Sequence, residues 1–183
     1  MPAGTHPIDV FTAVLQQAGG SVERVAGSHD VAAAIAAAAH EQGAREILYD
    51  PSAVIEGLQL KMKLAARGVD LLPVARAGDK LPHLRVSFTG AELAVAETGT
   101  LMIGGRPGGW GLASVLPWVH VVLVRADDVF ADLPAAFARF NERLSAGERD
   151  WVWITGPSRT ADIGHTLVMG AHGPNALRVL VLQ

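Results

Sequence analysis

Cysteine is absent from the 183 residues, aromatic side chains make up only 5% of them with a single tyrosine, and the apolar runs are short. Each shortage removes a class of function. Without thiolates the chain cannot ligate an iron–sulfur cluster, build a Cys-type zinc site, run a CxxC redox pair or supply a cysteine nucleophile. Its most hydrophobic stretch, Val115 to Val124, is too short to span a bilayer and contains Pro117 and His120, so membrane insertion is not expected. Positive charge is also scarce. Fifteen Lys+Arg stand against 18 Asp+Glu, a net charge of −3, with no basic cluster on any one segment, and nucleic acid is therefore not an expected partner. The start, Met1-Pro2-Ala3-Gly4-Thr5-His6-Pro7, has neither the basic region nor the apolar core of a secretory signal. The cytosol is the expected compartment.

What is present is half hydrophobic by residue count. A chain of this length should form one compact domain over 1–183, burying about 70% of its unfolded surface. Apolar residues at helical spacing predict a helix through Ile8, Phe11, Val14, Leu15 and Ala18, stopped by Gly19-Gly20. A second should start at Ser28 or Asp30, with Val31, Ile35 and Ala38 on one face, and end at Gly43. A third should run from Ile55 to Arg67 with Leu58, Met62 and Ala65 in register. The fourth carries Leu133, Phe137, Phe140 and Leu144, capped by Asp132. Between them lie short β-type runs at Ser21–Ala26, Glu46–Tyr49, Val69–Val74, Arg85–Phe88, Thr100–Ile103, Val119–Val124, Trp151–Ile154 and Leu177–Leu182. Several are continuously apolar, as strands covered on both faces are. Strands interleaved with helices predict an α/β fold, a three-layer sandwich with a mostly parallel sheet.

Glycine, proline and small polar residues concentrate in three loops. The first is Ala96-Glu97-Thr98-Gly99-Thr100. A carboxylate between apolar neighbours and a tight turn is costly to bury unless partnered, so Glu97 either accepts hydrogen bonds from loop amides or works chemically. The second, Thr155 to Gly164, follows the strand Trp151–Ile154 and holds Gly156, Ser158, Arg159, Thr160 and Asp162. A glycine turn, hydroxyls and a guanidinium are the parts of a cradle for a small carboxylate or phosphate. The same residues also suit a short helix capped by Ser158 and Thr160, with Arg159 paired to Asp162. The third loop, Gly170 to Asn175, places His172 beside Gly173, where an imidazole can exchange protons near neutral pH or simply bond a loop carbonyl. The phosphate-binding motifs GxxxxGK[ST] and GxGxxG are missing, as are HExxH, HxH and GxSxG. No metal site is assigned, and serine hydrolysis has no support, since Ser114 lacks a local base.

In order along the chain, Ala96-Glu97-Thr98-Gly99-Thr100-Leu101, then Ser114-Val115-Leu116-Pro117 with His120, then Gly156-Pro157-Ser158-Arg159-Thr160-Ala161-Asp162-Ile163, then Gly170-Ala171-His172-Gly173-Pro174 resemble the LUD domain of the lactate-utilisation protein C family. One departure is Trp110-Gly111, where the family commonly has an arginine; Arg106 is the nearest here. The resemblance implies a fold similar to the sugar-phosphate isomerase and CoA-transferase superfamily. It also implies a cytosolic role in oxidising L-lactate to pyruvate beside iron–sulfur partner proteins, with this chain as the cluster-free member and no intrinsic cofactor. On that reading Thr98, Gly99, Thr100, Gly156, Ser158, Arg159, Thr160, Asp162 and Gly173 line a cleft for a small anionic ligand, with Glu97 and His172 as its reactive groups. Parallel sheets place such clefts at the C-terminal ends of their strands. The alternatives are a free-standing CoA-transferase-like or isomerase-like enzyme using Glu97 as nucleophile or base, and a regulatory module without catalysis.

Overall fold

The computed structural model describes residues 5–104, 111–145, 150–161, 167–169 and 173–183, with backbone alone at 160–161 and 167–169. In chain order the elements are α1 (Pro7–Gln17), β1 (Ser21–Val25), α2 (Ser28–Glu41), β2 (Glu46–Tyr49), α3 (Leu60–Ala65), β3 (Asp70–Pro73), α4 (Val74–Ala77), β4 (Val86–Gly90), β5 (Leu93–Val95), β6 (Thr100–Gly104) and α5 (Leu112–Val115). Then follow β7 (Val119–Arg125), β8 (Val129–Phe130), α6 (Leu133–Ser145), β9 (Trp151–Ile154), β10 (Arg159–Ala161), β11 (Leu167–Met169) and β12 (Ala176–Leu182).

Six strands form a sheet in the order β1-β12-β7-β4-β2-β3, with every pair parallel. The cause is visible in β7, where Val119 through Val124 are all buried. Alternate side chains of that strand enter two different cores. Val119, Val121 and Leu123 pack with Val86 and Phe88 beneath Val31, Ile35 and Ala39 of α2. Val122 and Val124 pack with Val179 and Val181 against Ile8, Phe11 and Leu15 of α1. A strand covered on both faces has no polar side to show, hence its valine-rich sequence, interrupted only by His120 before Arg125.

The layer beyond α1 is a second sheet, in the order β8-β5-β6-β9. Residues Leu93–Val95 and Val129–Phe130 supply two strands that periodicity does not announce. β5 is itself double-sided: Ala94 joins the α1 core, whereas Leu93 and Val95 face Ala136 of α6 together with Met102. Phe140 of α6 meets Trp151 edge-on at 5.0 Å and Trp153 at 5.5 Å, closing this outer layer.

The third expected helix is shorter and differently turned than its spacing suggests. Residues 53–58 form turns, and helix begins only after Gln59, whose φ of 51° breaks the run. The buried stripe is Leu60 and Leu64, while Met62 is 67% exposed. Among the described residues no helix is long and apolar enough to cross a membrane.

Candidate functional site

Glu97 leaves β5 as the backbone continues its pairing, with Ala96 N–H bonded to Phe130 O and Glu97 N–H to Ala131 O. That path delivers the carboxylate to the start of α6, where Oε1 accepts from Leu133 N–H at 2.7 Å. Asp132 Oδ1 accepts from Ala135 N–H at 2.9 Å, so two carboxylates satisfy the first turn of one helix. Both suit the positive end of its dipole. Glu97 is exposed.

The rest of this turn locks onto its neighbours. The Thr98 hydroxyl lies 2.8 Å from that of Thr100, which lies 2.8 Å from that of Thr155 at the head of the second loop. Gly99 adopts φ +65° and abuts α1 so closely that a Cβ would sit 3.1 Å from Leu15 N. Gly156 adopts φ +79°, and a Cβ there would stand 2.7 Å from the Ala18 carbonyl oxygen. Left-handed backbone and this contact both require glycine. Gly156→Ala is expected to lower stability by about 2 kcal/mol, read from urea unfolding; a loss below about 0.5 kcal/mol would show that the turn relaxes freely.

Beyond Gly156 the chain turns toward the third loop. Ser158 N–H donates to Pro174 O at 2.9 Å, and a Cβ on Gly173 would come within 2.9 Å of Ser158 Cβ. The Arg159 guanidinium rests over Gly19, just past the C-terminus of α1, where helix carbonyls favour a cation. Arg159 opens β10, which pairs antiparallel with β11. The expected short helix capped by Ser158 and Thr160 is thus replaced by a hairpin strand. Asp162, His172, Arg106 and Trp110 lie outside the described residues, as does the Thr160 side chain.

The structure therefore brings together Thr98, Gly99, Thr100, Gly156, Ser158, Arg159 and Gly173 around the end of α1. It does so at the edge opposite to the one expected. Gly19 lies two residues before the first residue of β1, and Asn175 and Ala176 N–H both bond Trp118 O at the starts of β12 and β7. The described loops gather at the N-terminal ends of the parallel strands. Beside them Val115, Leu116 and Trp118 are exposed, Trp118 by 54%.

Sequence reasoning passed over one polar cluster. His120 is fully buried in β7, with Nε2 2.8 Å from Thr89 Oγ1 of β4. Its Nδ1, with Ser87 Oγ and Ser52 Oγ, is buried without a hydrogen-bond partner among the described residues. Desolvation pushes the imidazole pKa from 6.5 to about 3, so the ring is neutral near pH 7. A signal existed in the sequence: Ser87 and Thr89 alternate with apolar residues, and His120 interrupts a valine run. Among the described residues no group of three or more His, Asp or Glu could hold a metal.

Comparison with known proteins agrees with this architecture. A crystal structure of a DUF162 family protein from Deinococcus radiodurans superposes with a TM-score of 0.65 over 97% of this chain and 96% of that one, at 20% identity. The uncharacterized protein NMB1437 of Neisseria meningitidis is 30% identical over 79% of this chain and 64% of its own length. Proteins called lactate utilization protein C are similar too: that of Deinococcus radiodurans is 31% identical over 63% of this chain and 55% of its own, and that of a Geobacillus strain 28% identical over 57% and 44%. The chain thus spans between 44% and 64% of these curated relatives. The family model for the LUD domain matches residues 8–182, and the chain belongs to the LUD domain family.

Proposed function

We propose that this LUD domain serves L-lactate utilisation in the cytosol as the component without a redox centre. On this reading the two electrons released when lactate becomes pyruvate pass to iron–sulfur proteins acting beside it. Three observations support the reading. Several relatives bear the name lactate utilization protein C; the 183 residues contain no thiolate; and the loops offer an exposed guanidinium, Arg159, next to the Thr155–Ser158 turn and Gly173, suited to a small carboxylate. The observation that carries the accessory role over the enzymatic one is the Glu97 carboxylate held by Leu133 N–H. A nucleophile or general base needs a free lone pair aimed at substrate, whereas Oε1 here is given to a helix terminus.

Glu97→Ala is expected to lose about 1 kcal/mol of stability with α6 fraying first, measurable by hydrogen exchange at Leu133 and its neighbours. Unchanged exchange there would remove the capping role. For the partnership, the chain tagged at its own locus should co-purify from lactate-grown cells with iron and acid-labile sulfide in stoichiometric amount. An eluate free of both, from cells in which lactate oxidation is active, would overturn it.

A further inference from the structure

A second constellation lies along the same edge of the sheet, on the other side of β7 from the loops. β2 and β4 pair in parallel with Leu48 beside Ser87; carried back two residues, that register sets Glu46 beside Arg85. Between the starts of these strands runs a groove of about 470 Å³, within the range of small-molecule sites. Gln42, Arg45, Glu46, Lys80, His83 and Arg85 are among its walls. Leu84, extended and buried, follows the short helical turn Gly78–His83, and His83 and Arg85 on either side of it are exposed. Lys80 is tied to Glu46, with Nζ 2.9 and 3.1 Å from its two carboxylate oxygens. Arg45, His83 and Arg85 are exposed, and their side chains have no hydrogen-bond or ion-pair partner among the described residues.

Three fixed cations therefore face one carboxylate in a protein whose net charge is −3. The single carboxylate, Glu46, is shared with Lys80, so the groove carries an excess of positive charge. A ligand bearing two or more negative charges would balance that excess and satisfy both guanidinium forks bidentately. We infer that the groove between the starts of β2 and β4 binds a small polyanion, with Arg45 and Arg85 as its principal ligands, His83 as a further donor, and the Lys80–Glu46 pair as a fixed wall. The site is separate from the Arg159 loop and does not rest on the lactate reading.

Calorimetric titration and thermal unfolding with inorganic pyrophosphate and with citrate test this directly, at constant ionic strength. Wild type should bind at least one of them with a rise in unfolding temperature; preference for pyrophosphate identifies phosphorylated ligands, and preference for citrate identifies polycarboxylates. Arg45→Gln and Arg85→Gln, both at exposed positions, should each raise Kd roughly tenfold, and the double variant should abolish the thermal shift. Arg125→Gln, at the C-terminal end of β7, makes the same charge change and should bind like wild type. The proposal is overturned if neither anion binds at millimolar concentration, if sodium chloride reproduces the shift, if both arginine variants bind like Arg125→Gln, or if only a polymer such as polyglutamate binds.

Discussion

Lowering the pH from 7 to 5 is expected to cost the folded chain about 2 kcal/mol through His120 alone. The folded imidazole holds its proton only near pH 3, whereas in the unfolded chain the ordinary value of 6.5 applies. Above 6.5 neither state binds the proton and the stability is complete. Below it the unfolded state protonates while the folded state does not, so stability falls by about 1.4 kcal/mol per pH unit until the folded value is reached. The cause is burial of the ring away from water: its hydrogen-bond neighbour across the sheet is a threonine hydroxyl, and valines precede and follow it in the strand. Glu41, whose carboxylate is held below its usual 4.5 by the hydrogen bond from Arg178, contributes only at lower pH. Urea unfolding at pH 7, 6 and 5 should show the slope in wild type and a slope shallower by that amount in His120→Gln. Other titrating groups are shared and cancel in the comparison. Equal slopes would mean that water or motion solvates the ring.

The second large effect concerns the ion pair that ties α6 to its sheet. Arg143 stands 3.0 Å from Glu92, with side chains only 21% and 7% exposed. Removing the arginine takes a guanidinium away from a carboxylate in a site of low exposure, and Arg143→Met is expected to cost about 3 kcal/mol. The consequence should extend to the aromatic contacts of Phe137 and Phe140 with Trp151 and Trp153, making tryptophan fluorescence a local reporter. Replacing both partners with methionine should recover most of the loss, since the double variant no longer keeps a carboxylate at a site of low exposure after its guanidinium is gone. A cost under about 1 kcal/mol for Arg143→Met would place Glu92 in a wetter environment than its burial indicates.

The elements most legible from sequence are those whose environment is uniform. β7 and β9 read as strands because their residues are apolar apart from His120 and Arg125, and α2 reads as a helix because Val31, Ile35 and Ala38 repeat at the right interval. β5 was not legible, since Ala-Glu-Leu-Ala-Val-Ala-Glu favours helix as readily as strand, and pairing with β6 and β8 decides the matter. The same nonlocality governs the site. Glycine content locates the loops, but Glu97 is a helix cap only because α6 begins 36 residues later. The edge on which the loops meet follows from where α1 ends, which glycine spacing cannot reveal. Arg45 and Arg85 form no cluster in the sequence; register between β2 and β4 makes them neighbours.

Under the function proposed, the Glu97 carboxylate holds structure and carries out no chemistry, in a protein that serves lactate utilisation. Growth on L-lactate of a strain lacking the gene, complemented with Glu97→Gln, tests it most directly. A glutamine oxygen can still accept from Leu133 N–H but can neither form an acyl anhydride nor serve as a base. Deletion is expected to abolish growth on lactate, and Glu97→Gln to restore it to the wild-type rate. A folded, normally expressed Glu97→Gln protein that fails to restore growth would contradict it.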